Sequence, residues 1–542
     1  MDRFLTRIVT VSVLGFLLVP CSAAFSSTNL PLHHWAYEAI ERLTALGVID
    51  RAVLDTKPYS RKEAARHVAK AIERIRTNQV SGDLGSGPAD QLMARLTAEF
   101  KRELADIGGD GEKSRSLADI RYGGRVTSEV GVFSVGGGQT VRFRENRGGE
   151  YYANGLQVQA DVRGWLEVGD WASVMVQPKF ISNRHALGIG ATNNSHNSYL
   201  REYGVKLSAF NIELEVGRST LWWGPGYHGS LLMTDHAFPM EMIKLGTEGA
   251  FRLPWVFRNL GEWKINTFLA RLERDRDYSR ARVFGARLTY LPTSWLELGL
   301  TRLTQYGDKS QDQYFPKIIY DAWTNTPNQE GALNVNEQSM VDFRIRAPHA
   351  PNLIPFAGGA EIYGEIGSED KWSKYPLPSR AAVVGGVYIP QLFEGDSQDL
   401  RIEYADTDLT RRKTGLSNIW YNHHRYTSGM RHRGFPLGHH MGTDAIDMFV
   451  RTTRFLTEDL RLGLNVDFQQ RGRGNPVYEK KREIELDFNW WLSRNMQLTA
   501  SYTYQSIQHP GQITAINPFA ETFSPNVTAT NHLLWTSLAV DF

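Results

Sequence analysis

From residue 116 onward, apolar and polar positions alternate. The run GLQVQADVRGWLEV sets Leu156, Val158, Ala160 and Val162 against Gln157, Gln159, Asp161 and Arg163. LRLGLNVDFQQRG sets Leu460, Leu462, Leu464, Val466 and Phe468 against Arg461, Asn465, Asp467 and Gln469. NIELEVG, WLELGLTRL, LRIEYAD, EIELDFNWW and NMQLTASYTYQ repeat the pattern. A period of two marks strands whose faces meet different surroundings. Runs of ~9–11 residues match a tilted transmembrane strand, whereas sandwich strands usually hold about 5–6 and need a second apolar layer. The apolar face carries Trp490, Tyr502 and Tyr504, which suits lipid and its aromatic girdle, and the polar face suits a wet lumen. At about ten residues per strand and as many per connection, residues 116–542 predict an all-β transmembrane barrel of ~18 antiparallel strands. Long polar connectors at 184–198, 307–331 and 367–380 would be extracellular loops or inward-folded plugs.

Residues 25–115 follow the helical period instead. HWAYEAIERLTALG aligns Trp35, Ala39, Ile40, Leu43 and Leu46 and stops at Gly47, a C′ glycine. Ser60 to Glu63 reads as a capping box opening a second helix through Ile75. A Gly/Ser/Pro break at 81–88 precedes a third helix with Leu92, Leu96, Phe100 and Leu104 on one face. This small α-helical domain is expected at the periplasmic end, because the first strand follows it.

The two ends change the picture. Residues 1–24 read as a secretory signal peptide: Arg3 and Arg7, an apolar run from Ile8 to Val19, then Ser22-Ala23-Ala24. Cleavage there would remove Cys21, the single cysteine, so neither disulfide nor thiol chemistry is expected. At the other end, HLLWTSLAVDF places Leu534, Thr536, Leu538, Val540 and Phe542 on one face. A strand ending on an aromatic residue resembles the recognition signal of bacterial outer-membrane barrels. Leu538, Val540 and Phe542 are therefore expected to address the chain to the barrel-assembly machinery and then face outer-membrane lipid.

With 61 Lys+Arg against 59 Asp+Glu, the chain does not advertise nucleic-acid binding. Past the leader, no apolar stretch approaches ~20 residues, so no helical anchor is expected. A monomer is the expected state.

Two stretches bear resemblances. LPLHHWAYEAIERLTALGVIDRAVLDTKPYSRKEAARHVAKAI resembles one S-layer-homology repeat through Trp35, Ala36, Tyr37, Ile40, Leu43, Gly47, Ile49, Pro58, Ser60, Arg61, Glu63 and Ala64. That likeness implies contact with peptidoglycan or a secondary wall polymer; a packed helical domain is the alternative. STLWWGPGYHGSLLMTDHAFPMEMIKL and the later YNHHRYTSGMRHRGFPLGHHMGTD are similar to two blocks of the Wzi-type capsule-assembly family, in the same order. This resemblance implies a non-enzymatic outer-membrane barrel that holds capsular or extracellular polysaccharide at the cell surface in a lectin-like manner. A porin for sugars or small solutes is the alternative.

Sugars offer hydroxyl edges and apolar faces, and acidic ones add carboxylates that a planar guanidinium binds in bidentate fashion. The candidate polysaccharide contacts are Trp222, Trp223, Tyr227, His228, Tyr421, Tyr426, Arg431, His432, Arg433, His439 and Asp444. Gly224, Pro225, Gly226, Gly434, Gly438 and Gly442 would supply tight turns or close backbone approach. The competing reading makes the same polar residues a hydrogen-bonded plug. Catalysis is not expected: Ser230 and Ser428 lack a nucleophile elbow, and Asp235-His236 are adjacent residues that seldom orient each other. No metal or cofactor is expected, because His423-His424 and His439-His440 would point to opposite faces of a strand, and Arg431 and Arg433 flank His432.

Overall fold

The computed structural model describes residues 27–77, 88–108, 111–112, 115–116, 118–136, 141–182, 198–307, 317, 335–348, 357–369, 381–393, 397–409, 417–512 and 522–542. The expected signal peptide lies outside them, as do most of the three long connectors. Eighteen antiparallel strands of 8–16 residues close into one barrel, each pairing with its neighbours in sequence. The seam joins Thr528–Asp541 to Ile120–Val135, with Val540 opposite Val126 and Trp535 opposite Gly131. Phe542 extends it: its N–H donates to Gly124 O and its carbonyl accepts from Gly124 N.

The alternation does what the two solvents require. Along Gly155–Val168, Leu156, Val158, Val162 and Leu166 face outward, while Gln157, Gln159, Arg163 and Glu167 are buried inside. Trp490, Tyr502 and Tyr504 point outward as expected. A soluble domain reverses this arrangement, so the outer face is a lipid face. One end of the barrel has short turns, such as Phe210–Asn211 with both φ values positive (51° and 64°), the signature of a type I′ hairpin. The other end carries the long loops.

Among the described residues, four helices precede the barrel: α1 (Ala36–Ala45), α2 (Arg61–Arg76), α3 (Pro88–Glu99) and α4 (Lys101–Asp106). They enclose a core that includes Ile40, Leu43, Val68, Leu96 and Phe100. Ser60 caps α2 by accepting from Glu63 N at 3.0 Å. The expected capping box is redirected, however: the Glu63 carboxylate binds Lys264 Nζ of the barrel wall at 2.5 and 2.7 Å. The expected third helix is two. It breaks at Phe100, where Arg61 Nη2 donates to the Glu99 carbonyl at 3.0 Å and the guanidinium sits 5.3 Å over the Phe100 ring.

This helical domain fills the short-turn end of the lumen, gripping turns through Arg42 Nη2 to Ser397 O and Arg95 to Asp459. Between α1 and α2 the chain runs deeper. Thr56 and Lys57 form a two-residue antiparallel bridge with Trp223 and Trp222, which descend from the long-loop end. The lumen is thus plugged from both ends, and the plugs meet.

Candidate functional site: two inward loops

The two blocks singled out by sequence, 219–245 and 421–444, lie largely in the loops 220–239 and 417–445, which interlock inside the barrel. Trp223 N donates to Met233 O at 3.1 Å, closing the first loop on itself. Thr234 N donates to Leu437 O at 2.8 Å and its hydroxyl to Gly438 O at 2.7 Å. Tyr421 OH donates to Leu231 O at 2.6 Å and accepts from His439 N at 2.8 Å. Around these bonds Leu221, Trp223, Leu231, Met233, Trp420 and Met430 form an apolar core.

Glycine is required where the loops cross. Gly224 has φ +129°, and a Cβ there would lie 2.3 Å from Ser230 Oγ. At Gly438 a Cβ would come within 2.0 Å of the Leu231 carbonyl.

Two wall carboxylates gather the backbone donors of the first loop. Glu365, on Ala360–Glu369, accepts from Gly226 N (2.9 Å), Leu231 N (2.7 Å) and Ser230 Oγ (3.2 Å). Glu403, on Asp399–Asp406, accepts from Tyr227 N (2.7 Å), His228 N (2.9 Å) and Tyr363 OH (2.7 Å). Arg344, on Asn336–Ala347, reaches Asp55 (2.9 Å), Glu41 (2.7 Å), Glu361 (2.6 Å) and the Pro225 carbonyl (3.3 Å). Burial works against ionisation of Glu41, but Arg401 and Arg344 hold its pKa down to about 2. Sequence reading did not single out Glu365, Glu403 and Arg344, which hold the first loop. Their one signal was a place on the inward face of an alternating strand.

The structure corrects how several expected contacts are used. Trp223, Tyr421 and Tyr426, expected as stacking platforms, are at most 1% exposed, because the loops fold inward and these rings are the core that holds them there. Trp222 is nearly as buried, its indole N–H donating to Gly226 O at 3.1 Å. Tyr227 donates to Glu38 at 3.0 Å beneath the Arg401 guanidinium. Arg431, expected to grip a sugar carboxylate, gives its donors to Tyr421 O, Asn422 Oδ1 and Thr443 Oγ1. His432 bonds Glu273 at 2.7 Å. Arg433 is half-buried over Phe238, 3.8 Å from the ring centroid. Gly434 and Gly442 take positive φ (87° and 76°).

The expectation that adjacent histidines point apart also fails. His439 and His440 lie in a turn, not a strand, with ring centroids 4.5 Å apart, and His228 from the first block stands 4.4 Å from His440. Ser230 Oγ donates to Trp223 O, and Asp235 pairs with His33 at 2.6 Å rather than with His236.

Asp444 is a loop carboxyl whose burial, only partly offset by the Asn418 N–H at 2.7 Å, lifts its pKa from 3.8 to about 6. The folded state therefore holds a proton that the unfolded chain has released across that window, and stability falls as pH rises from about 4 to about 6. Asp444→Asn should match wild type near pH 4 and unfold at a higher temperature than wild type at pH 7.5, read by calorimetry in detergent. A difference that does not change with pH would refute this.

The profile of the capsule assembly protein Wzi family matches residues 127–514. A Klebsiella pneumoniae sequence described as an uncharacterized 55.8 kDa protein in the cps region is 27% identical over 477 residues, 85% of this chain and 82% of that one. Among solved structures, the chain is similar to Wzi of Escherichia coli, described as an outer membrane protein involved in group 1 capsule assembly and a carbohydrate-binding β-barrel. That similarity has a TM-score of 0.67 at 19% identity, covering 94% of this chain and 99% of that one. The profile spans more than half of the sequence and takes in both interlocked loops, and the chain belongs to the capsule assembly protein Wzi family.

Proposed function

We propose that this chain is a non-enzymatic outer-membrane protein that retains capsular or extracellular polysaccharide at the cell surface. The observation that carries the reading is the filled lumen. A helical domain and two long loops meet inside the barrel through buried ion pairs and a β-bridge, an arrangement suited to a rigid platform rather than to an aqueous path. In this reading the helical domain lies on the periplasmic side and acts as a stopper. Much of its S-layer-homology-like stretch is committed to that packing: Glu41 and Glu63 bind barrel-wall side chains, and Tyr37, Ile40 and Leu43 form core. Peptidoglycan contact is left to its outer surface.

With the expected aromatic platforms buried, polymer contact falls to accessible groups at the long-loop end. Arg147, Arg274 and Arg280 are exposed there and Arg425 is half-exposed. Guanidinium forks suit the carboxylates of an acidic polysaccharide.

The test is polymer partitioning. In a deletion strain, total sugar should stay constant while a larger share moves from the gently pelleted cells to the supernatant. Complementation with Arg274→Glu/Arg280→Glu/Arg425→Glu should fail to restore retention at normal barrel levels. Unchanged partitioning in the deletion strain would sink the reading and favour the porin alternative, which ion conductance in planar bilayers would then decide.

A further inference from the structure

Four side chains from separate parts of the chain converge at the upper plug. Glu145 comes from the loop after the first strand, His228 from the first block and His440 from the second. Asp447 is the second residue of Ile446–Phe455. His228 Nε2 lies 3.5 Å from Asp447 Oδ2 and 3.7 Å from Glu145 Oε2. His440 Nε2 lies 3.4 Å from each of the same two oxygens. These separations exceed the ~2.7–2.9 Å of a charge-assisted hydrogen bond. These four are close to the separations of neighbouring ligands on one ion, because bonds of about 2.0–2.2 Å place such atoms roughly 3.3–3.6 Å apart.

The hydrogen bonding points the same way. Both Nε2 atoms are buried with no hydrogen-bond partner among the described residues, and His440 and Asp447 are 6% and 2% exposed. Lys481 does not fill the gap. Its ammonium sits 2.5 Å from the other oxygen of Glu145 and 2.7 Å from Asp467, with Glu483 at 3.5 Å. One lysine thus faces the four carboxylates Glu145, Asp447, Asp467 and Glu483, a deficit of positive charge that a divalent ion would offset. His439 supports the set from behind. Its Nδ1 accepts from Met441 N, which leaves the proton on Nε2, aimed at Asp447 Oδ2 from 3.9 Å.

We propose that Glu145, His228, His440 and Asp447 bind one divalent first-row transition-metal ion, with Zn²⁺ the best match to two imidazoles and two carboxylates. The ion pins three long loops to the barrel wall. It makes the upper plug a metal-braced unit, a role separate from polymer contact.

The full chain, purified in detergent and stripped with a chelator, is titrated with Zn²⁺ and, in parallel, with Co²⁺. The expected result is one ion retained per chain after desalting, a higher unfolding temperature, and the intense visible bands of four-coordinate Co²⁺. His440→Gln and Asp447→Asn should each weaken Zn²⁺ binding at least about tenfold, while His424→Gln, an exposed histidine outside the cluster, should leave it unchanged. No stoichiometric uptake by the wild-type chain would overturn the proposal. So would uptake with a six-coordinate Co²⁺ spectrum, or uptake unaltered in folded His440→Gln. The wild-type Co²⁺ spectrum decides the matter even if the variants fail to fold.

Discussion

Replacing Arg344 by methionine is expected to turn a silent barrel into a conducting one. One guanidinium holds Glu41 of α1, Asp55 of the deep bridge segment, Glu361 of the wall and the Pro225 carbonyl of the upper loop. One side chain thus ties both plugs to the wall. Methionine keeps much of the volume but takes the shared cation from three buried carboxylates, Asp55, Glu41 and Glu361, of which Glu41 keeps Arg401 at 2.9 Å and Glu361 keeps Arg346 at 3.6 Å. Removing one partner of a buried ion pair costs about 3–5 kcal/mol, and here the loss falls on the joint between plug and wall. Arg344 and Glu361 stand on neighbouring barrel strands, but the backbone pairing of those strands does not run through their side chains, so the barrel itself should stay closed. Planar-bilayer recordings should show stepwise conductance, and amide exchange should rise at 50–57 and 222–227 while strand protection persists. Arg344→Lys should recover only part of the effect, since an ammonium cannot bridge four acceptors set in a fork. A silent bilayer with unchanged exchange would mean that Arg401, which also binds Glu41 at 2.9 Å, is enough to hold the plug.

The second large effect is expected at Glu365. Its carboxylate is the shared acceptor for Gly226 N, Leu231 N and Ser230 Oγ, all in the dry interior. In Glu365→Leu the two amide donors lose a partner that water cannot replace, at about 1–3 kcal/mol apiece, while Ser230 keeps the Trp223 carbonyl. The first loop should detach from the wall, become cleavable by protease between residues 220 and 239, and take the Tyr421–Leu231 contact with it. Glu365→Gln retains an acceptor oxygen, so its effect should be clearly smaller. If Glu365→Leu proved as protease-resistant as wild type, the apolar core around Trp223 and Leu231 would be holding the loop without the carboxylate. Because the second loop leans on the first, polymer retention should fall with Glu365→Leu even though Glu365 itself is buried.

Both predictions rest on residues that the chain does not advertise. Glu365 and Arg344 look like any inward polar position in an alternating strand, and Glu361 and Glu403 are indistinguishable from them by pattern. Their partners lie far away in sequence: Arg344 to Glu41 spans 303 residues and Glu365 to Leu231 spans 134. The aromatics show the same limit from the other side. Trp223, Tyr421 and Tyr426 have the composition of a sugar platform, yet they are spent as core, because a loop folded into a lumen must bring its own apolar filling. His439 and His440 were assigned opposite directions by strand logic. They lie together because the glycine-rich block folds as turns, where alternation has no meaning.

What the amino-acid sequence determined unaided is the local response of the chain to its solvents. Lipid outside and a polar lumen inside impose a two-residue period, so the barrel, its approximate strand number and its outward aromatics were readable residue by residue. The helical period and the Ser60 cap were readable for the same reason, since each depends on neighbours three or four positions away. Only the tertiary structure decided which inward charges meet, which loops enter the lumen, and that the two plugs join at Thr56 and Trp223. Closing the barrel brings the inward faces of distant strands around one small volume, and the pairing there is set by geometry across the lumen, which no local period records.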